Sequence, residues 1–184
     1  KMLPDMVVIN PCDYNQTKAA TIAIADYEGP VYLRFGRPKV PNFTEENQKF
    51  EIGKAIKLEE GTDVSIFATG HLVWPSIEAS RILRDEGISV ELINIHTIKP
   101  LDKETILKSV EKTKCVVTAE EHQMNGGLGD SIAQLLCREK PSPLEMVAVN
   151  DTFGESGPPM KLMEKYGLSK SDIISSVKKV INRK

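Results

Sequence analysis

The sequence predicts an α/β protein with a three-layer, largely parallel sheet, preceded by a partial strand–helix–strand unit. After residue 61, strand and helix signals alternate, the pattern that threads a parallel sheet through helical crossovers. Met6–Asn10 is a short unbroken apolar run, which suits a strand buried on both faces. Glycine and proline punctuate the segments where one element must give way to the next.

Pro11 ends the first strand. Asp13 then offers an N-cap with Gln16 three residues on, a variant of the capping box. The alanine-rich Thr17–Tyr27 follows as a helix, with Ala20, Ile24 and Tyr27 at helical spacing. Gly29 and Pro30 break it, and Val31–Phe35 reads as a second strand. A right-handed crossover is the default for such a unit. Some 40 residues with two strands enclose no core alone, however.

From Pro38 to Gly61 the pattern weakens. Pro38, Pro41 and the polar Thr44–Lys49 predict a surface linker, with a small hairpin around Phe50–Leu58. The domain boundary is placed at residue 50, giving a unit of residues 1–50 and a domain of residues 51–184.

Within that domain, Val64–Ala68 is a strand closed by Gly70. His71–Glu86 is a helix with Leu72, Ser76, Ala79 and Leu83 on one face. Pro75 is tolerated in its first turn, where a missing N–H costs nothing, and Gly87 suits the position after its end. Val90–Ile95 is the next strand. Pro100 and the N-cap Asp102 open a helix that turns Ile106, Leu107 and Val110 inward. Cys115–Ala119 is a strand, Gly126–Glu139 a helix with Leu128, Ile132, Leu135 and Leu136 inward, and Leu144–Val149 a further strand. Met160–Tyr166 and a helix from Ser169 close the chain. Ile173, Ile174, Val177, Val180 and Ile181 make one apolar stripe on that last helix, and Ser169 with Asp172 forms its N-terminal box.

Composition narrows the function. The 184 residues carry 24 Lys+Arg against 26 Asp+Glu, a balance with no electrostatic reason to bind a phosphate backbone, so a general nucleic-acid binder is disfavoured. No apolar run reaches the ~20 residues that span a bilayer, and no signal peptide is visible. Cys12, Cys115 and Cys137 are too scattered for a disulfide framework or a zinc site. A cytoplasmic location is the simplest expectation. The strand beginning at Met6 has nothing before it to cover its edge, which suggests that an upstream part is missing.

Three groups of residues could carry chemistry. Asn125–Asp130 is a glycine-rich turn that follows a strand and opens a helix, where backbone N–H groups can hold phosphate. Its spacing matches neither standard nucleotide fingerprint, so close helix–sheet packing is the favoured reading. Glu120, Glu121 and His122 lie at the carboxyl end of a strand, the edge where open α/β sheets bind ligands. His71 and His96 also lie near strand ends. Without a third catalytic partner or a metal-like spacing, these read as solvated or hydrogen-bonded structural residues. Cys115 and Cys137 read as small hydrophobes inside a strand and a helix. Arg34 and Arg37 flank the end of the second strand. A guanidinium there can grip phosphate or carboxylate through two hydrogen bonds, and a surface ion pair is an equally good reading.

Several stretches together resemble the transketolase family of thiamine-diphosphate enzymes. Leu3–Asp13 is similar to that family's "LPNMxVxxPAD" segment in the pyrimidine-binding domain, and Gly29–Arg37 to the strand that follows it. Ala68–Gly70, Gly87–Leu101 with its "IKPLD" ending, Ala119–Glu121 and Gly126–Gly129 resemble the family's C-terminal domain. Asn150–Gly157 with Lys165–Leu168 is similar to the "DxFGxSG…YGL" ending of transketolase itself. Deoxyxylulose-phosphate synthase and the 2-oxoacid dehydrogenase β-subunit share the C-terminal domain but lack a close counterpart of Phe153–Gly157.

The resemblance implies the C-terminal portion of an enzyme that moves a two-carbon ketol unit between sugar phosphates of the pentose phosphate pathway. It implies thiamine diphosphate and magnesium in the complete enzyme, held by upstream domains or a separate N-terminal subunit, with a dimer or other homo-oligomer as the working form. The diphosphate and magnesium ligands, the activating glutamate and the "GEDGxTHQ" histidine would all precede Lys1. Neither cofactor is therefore expected on this chain, which would be inactive alone. Of the family's active-site residues, the arginine matching Arg37 remains, with an implied grip on the substrate's phosphate. Arg34 matches the deoxyxylulose-phosphate synthase pattern alone. Fragments of those related enzymes, or a non-catalytic α/β binding or assembly module, are the alternatives, since one fold hosts many functions.

Overall fold

The computed structural model describes residues 1–184. In chain order the elements are β1 (Val7–Ile9), α1 (Tyr14–Ala25), β2 (Val31–Leu33), β3 (Ile56–Glu59), β4 (Val64–Ala68), α2 (Val73–Asp85), β5 (Val90–Asn94), β6 (Thr97–Lys99), α3 (Lys103–Thr113), β7 (Val116–Gln123), α4 (Leu128–Glu139), β8 (Leu144–Val149), α5 (Pro159–Lys165) and α6 (Lys170–Ile181).

The larger sheet has the order β3-β5-β4-β7-β8. Its last four strands run parallel to one another, and β3 is antiparallel to β5. Alternation along each strand sorts side chains between two faces. Val64, Ile66, Ala68, Val90, Leu92, Val117 and Ala119 face α2 and α6, joining Leu72, Ala79, Leu83, Ile173, Val177 and Val180 in one buried cluster. Phe67, Ile93 and Val116 point the other way, onto Ile106 and Val110 of α3 and Ile132 and Leu136 of α4. Helices therefore cover both faces, which makes the three layers. Leu72, Ser76, Ala79 and Leu83 are all fully buried. Ser169 and Asp172 form the capping box of α6.

The N-terminal sheet has the order β2-β1-β6. β1 and β2 are parallel and joined through α1. β6, from beyond residue 50, takes the other edge of β1 antiparallel, so the edge expected to lie bare is paired. Asp13 caps α1 by accepting from the Gln16 N–H at 2.9 Å. Gln16 accepts from the Cys12 N–H rather than that of Asp13, so the reciprocal half of the box is displaced by one residue. The cap starts α1 at Tyr14, ahead of the expected Thr17.

One expectation is corrected. The segment around Phe50–Leu58 is not a hairpin. Ile56–Glu59 pairs with distant β5 instead, because the open edge of a sheet offers more partners than a short local turn. The stretch from Pro38 runs over the surface as expected and is tied down at several points. Asp13 also accepts from the N–H groups of Phe43 and Thr44 and from the Thr44 hydroxyl. Phe43 packs on Trp74 with ring centres 5.5 Å apart, and Phe50 on His96 at 4.2 Å. A smaller correction concerns the helix expected from His71. Gly70–Leu72 is a 3-10 turn, set by Gly70 at φ +54°, where an added Cβ would run into the Asn10 amide.

Candidate functional site

In an open α/β sheet, ligands bind outside the carboxyl ends of strands whose following helices leave to opposite faces. Here that place lies between β4 and β7, since α2 covers one face and α4 the other. His71 stands just after β4, and Glu120 and Glu121 lie in the last part of β7. The glycine-rich turn follows.

Glu120 and Glu121 point to opposite sides and do different work. Glu120 is buried, and its carboxylate accepts from the Leu128 N–H at 2.7 Å and the Gly129 N–H at 2.8 Å. Burial raises its pKa, and those two N–H groups pull it back down. The carboxylate thus occupies the N-terminus of α4, where free N–H groups favour negative charge. A Cβ at Gly127 would overlap it, and one at Gly129 would press on Thr118 and Met146 at 2.8–2.9 Å. The glycine run is accordingly a packing device, and the Gly126, Leu128 and Gly129 N–H groups are already bonded to carboxylates of the chain itself.

Glu121 faces a groove of about 920 Å³ whose lining includes Lys39, His71, Trp74 and Tyr166. Its Oε2 lies 2.8 Å from His71 Nδ1. The His71 hydrogen bond, with help from the Arg34 charge, holds the Glu121 carboxyl below its usual range despite partial burial. The His71 ring in turn lies against the backbone of Gly36, so closely that any Cβ at Gly36 would overlap it. The loop carrying Arg34 and Arg37 is therefore seated on the switch point of the larger sheet.

This separates the two arginines. Arg34 is partly buried, and its charge acts on Glu121 without forming an ion pair. Arg37 is exposed and takes part in none of the ion pairs. Its guanidinium is free to hold an anion.

The remaining candidates do not join the site. His96 is buried against Phe50, and burial depresses its pKa to about 4. His122 is exposed, with Nδ1 2.6 Å from the Gln123 carbonyl. Cys12 and Cys115 are buried, with burial raising both thiols. Cys137, expected as a small hydrophobe in its helix, lies on the exposed face of α4. No group of three or more His, Cys, Asp and Glu is placed to hold a metal ion, and no helix is long and apolar enough to cross a membrane. The contact among Gly36, His71 and Glu121 was missed from the sequence. The signal available was that His71 and Glu121 lie at the carboxyl ends of neighbouring strands on the two sides of the switch point.

The strand order and the helices on both faces make residues 56–181 an open three-layer α/β domain. The chain belongs to the transketolase C-terminal domain family. The profile described as "Transketolase, C-terminal domain" matches residues 53–173. A 6-deoxy-6-sulfo-D-fructose transketolase subunit of Clostridium sp. (strain MSTE9) is 42% identical over 182 residues, covering 99% of this chain and 56% of that protein. A protein named as a transketolase C-terminal section, from Methanocaldococcus jannaschii, is 40% identical over 180 residues, covering 96% and 56%. A solved split-gene transketolase, described as an inactive beta4 tetramer, superposes with a TM-score of 0.95 at 42% identity, covering 98% of this chain and 59% of that one. The chain thus spans a little over half the length of these relatives.

Proposed function

We propose that this chain is the C-terminal portion of a thiamine-diphosphate-dependent transketolase, transferring a two-carbon ketol unit between sugar phosphates in the cytoplasm. It acts with an upstream portion, on the same polypeptide or a separate subunit, in a homo-oligomer. Bound cofactor supplies the carbon nucleophile and the electron sink that C–C cleavage needs. The diphosphate and its magnesium belong to the upstream portion. Within this chain Glu120 fills the one glycine-rich helix start. The role of this chain in the reaction is to hold the substrate's phosphate on Arg37. The observation that carries this reading is that Arg37 is exposed and without an ion-pair partner, on a loop whose Gly36 is seated against His71 at the switch point.

In the complete enzyme, Arg37→Ala is expected to raise the KM for a ketose phosphate by roughly 10- to 100-fold, the loss of a charge-assisted bond of about 1.5–3 kcal/mol. The KM for unphosphorylated hydroxypyruvate moves far less. Lysine at this position rescues in part, because a point charge lacks the planar fork. Equal losses for both donors would overturn the assignment. Titration calorimetry of the chain alone with thiamine diphosphate and magnesium is expected to show no micromolar binding; micromolar affinity would contradict the division of labour.

A further inference from the structure

We propose that His71 and Glu121 are positioning residues for Arg37, so that the C-terminal domain sets the grip on the substrate's phosphate without touching it. The inference rests on the assignment of Arg37 above and deepens it.

The crevice at the switch point of an open α/β sheet normally receives a ligand. In this molecule it receives a loop of the chain's own N-terminal unit. His71 fills the crevice floor with its ring, and its side chain is only 12% exposed. The bond from Nδ1 to Glu121 fixes the ring's orientation, as a carboxylate partner does for histidines whose geometry matters. Cε1 and Nε2 then form the surface on which Gly36 rests. A residue with any side chain could not approach so far.

The loop is held on both sides of that contact. Arg34, two residues before Gly36, is tied to β1 by its N–H, which donates to the Ile9 carbonyl at 2.8 Å. Pro38, two residues after it, has its φ restricted by its ring and lines the groove beside His71. Arg37 lies between these restraints with an unpaired side chain. A guanidinium on a loop fixed in advance loses less conformational freedom when it closes on a phosphate. Loosening the floor should therefore weaken phosphate binding selectively.

The test uses the complete enzyme and reads the ratio of KM for a ketose phosphate to KM for hydroxypyruvate. His71→Ala and Glu121→Gln are each expected to raise that ratio by roughly three- to tenfold, about one hydrogen bond's worth. A general loss of structure would shift both constants together and leave the ratio alone. The steric contact supplies an independent arm. Gly36→Ala should raise the ratio more than either, and adding His71→Ala to it should restore part of the loss, because removing the ring makes room for the methyl group. If Arg37→Ala raises the ratio while His71→Ala and Glu121→Gln leave it unmoved, the positioning role is wrong and the Arg37 assignment stands. If His71→Ala fails to relieve Gly36→Ala, the contact does not hold the loop. If Arg37→Ala itself leaves the ratio unchanged, both readings fall.

Discussion

The two units of the molecule are held by different means. The C-terminal domain is closed by apolar side chains, in clusters of 19 buried residues (one of them Cys12 from the N-terminal unit) and 10 buried residues on the two faces of its sheet. The N-terminal unit has a cluster of four and is placed instead by polar anchors. Asp13 accepts four hydrogen bonds, the Asn10 N–H donates to the His96 carbonyl at 2.8 Å, and the Asn94 amide reaches both Cys12 and Gln16. Hydrogen bonds fix direction but contribute little net free energy each, whereas buried area accumulates. The N-terminal unit is thus sharply placed but draws its stability from its neighbour.

The largest expected effect is on amide exchange. Protection in β1, α1 and β2 should fall below that in β4, β5 and β7 by roughly 100-fold or more, since regions with few buried contacts open locally. Equal protection would erase the contrast between the units. The next effect lies at the joint between them, where His96 is buried and neutral. Its folded pKa of about 4 lies below the ordinary 6.5, so between those values the unfolded chain takes up a proton that the folded chain refuses. Stability should fall as pH drops from about 6.5 to about 4, by on the order of 3 kcal/mol at most, and level off below. Denaturant melts across that range should show the slope, and His96→Gln should flatten it.

The contrast sharpens with a pair of matched caps. Asp13→Ala removes the cap of α1 together with its tether to Phe43 and Thr44. It should destabilise the N-terminal unit by about 2–3 kcal/mol, visible as exchange lost in α1 while the larger sheet keeps its own. Asp102→Ala removes the equivalent cap of α3, which accepts from Thr105 and the Ala55 N–H. It should cost only about 1 kcal/mol, because Ile106 and Val110 still hold that helix. If Asp102→Ala proves the more damaging of the two, the assignment of apolar closure to one unit and polar anchoring to the other is wrong.

The features legible in the sequence were those with local causes. Helical spacing of Leu72, Ser76, Ala79 and Leu83 identified a face that is fully buried, and the Ser169–Asp172 box marked the start of α6. The packing reading of the glycine turn also agrees with the structure, because the turn lacked the spacing of a phosphate loop. What escaped was set at long range. β3 and β6 are four and three residues long, with lysines at Lys57 and Lys99, and resemble loops until a distant strand edge is there to pair them. Gly36, His71 and Glu121 meet across wide gaps in sequence. Periodicity carries no information about such a meeting. Arg37 was singled out through the family resemblance, while its greater exposure than Arg34 needed the structure.

The pairing of β6 with β1 makes cleavage of the backbone and separation of the parts two different events. A protease nicking the exposed Glu45–Asn47 would leave a short piece and a long piece with every noncovalent tie between them intact. Those ties include the β1–β6 ladder, the Asn94 amide on Cys12 and Gln16, and the seat of Gly36 on His71. The pieces should migrate together until a denaturant parts them, and should find each other again when mixed, as complementing fragments do.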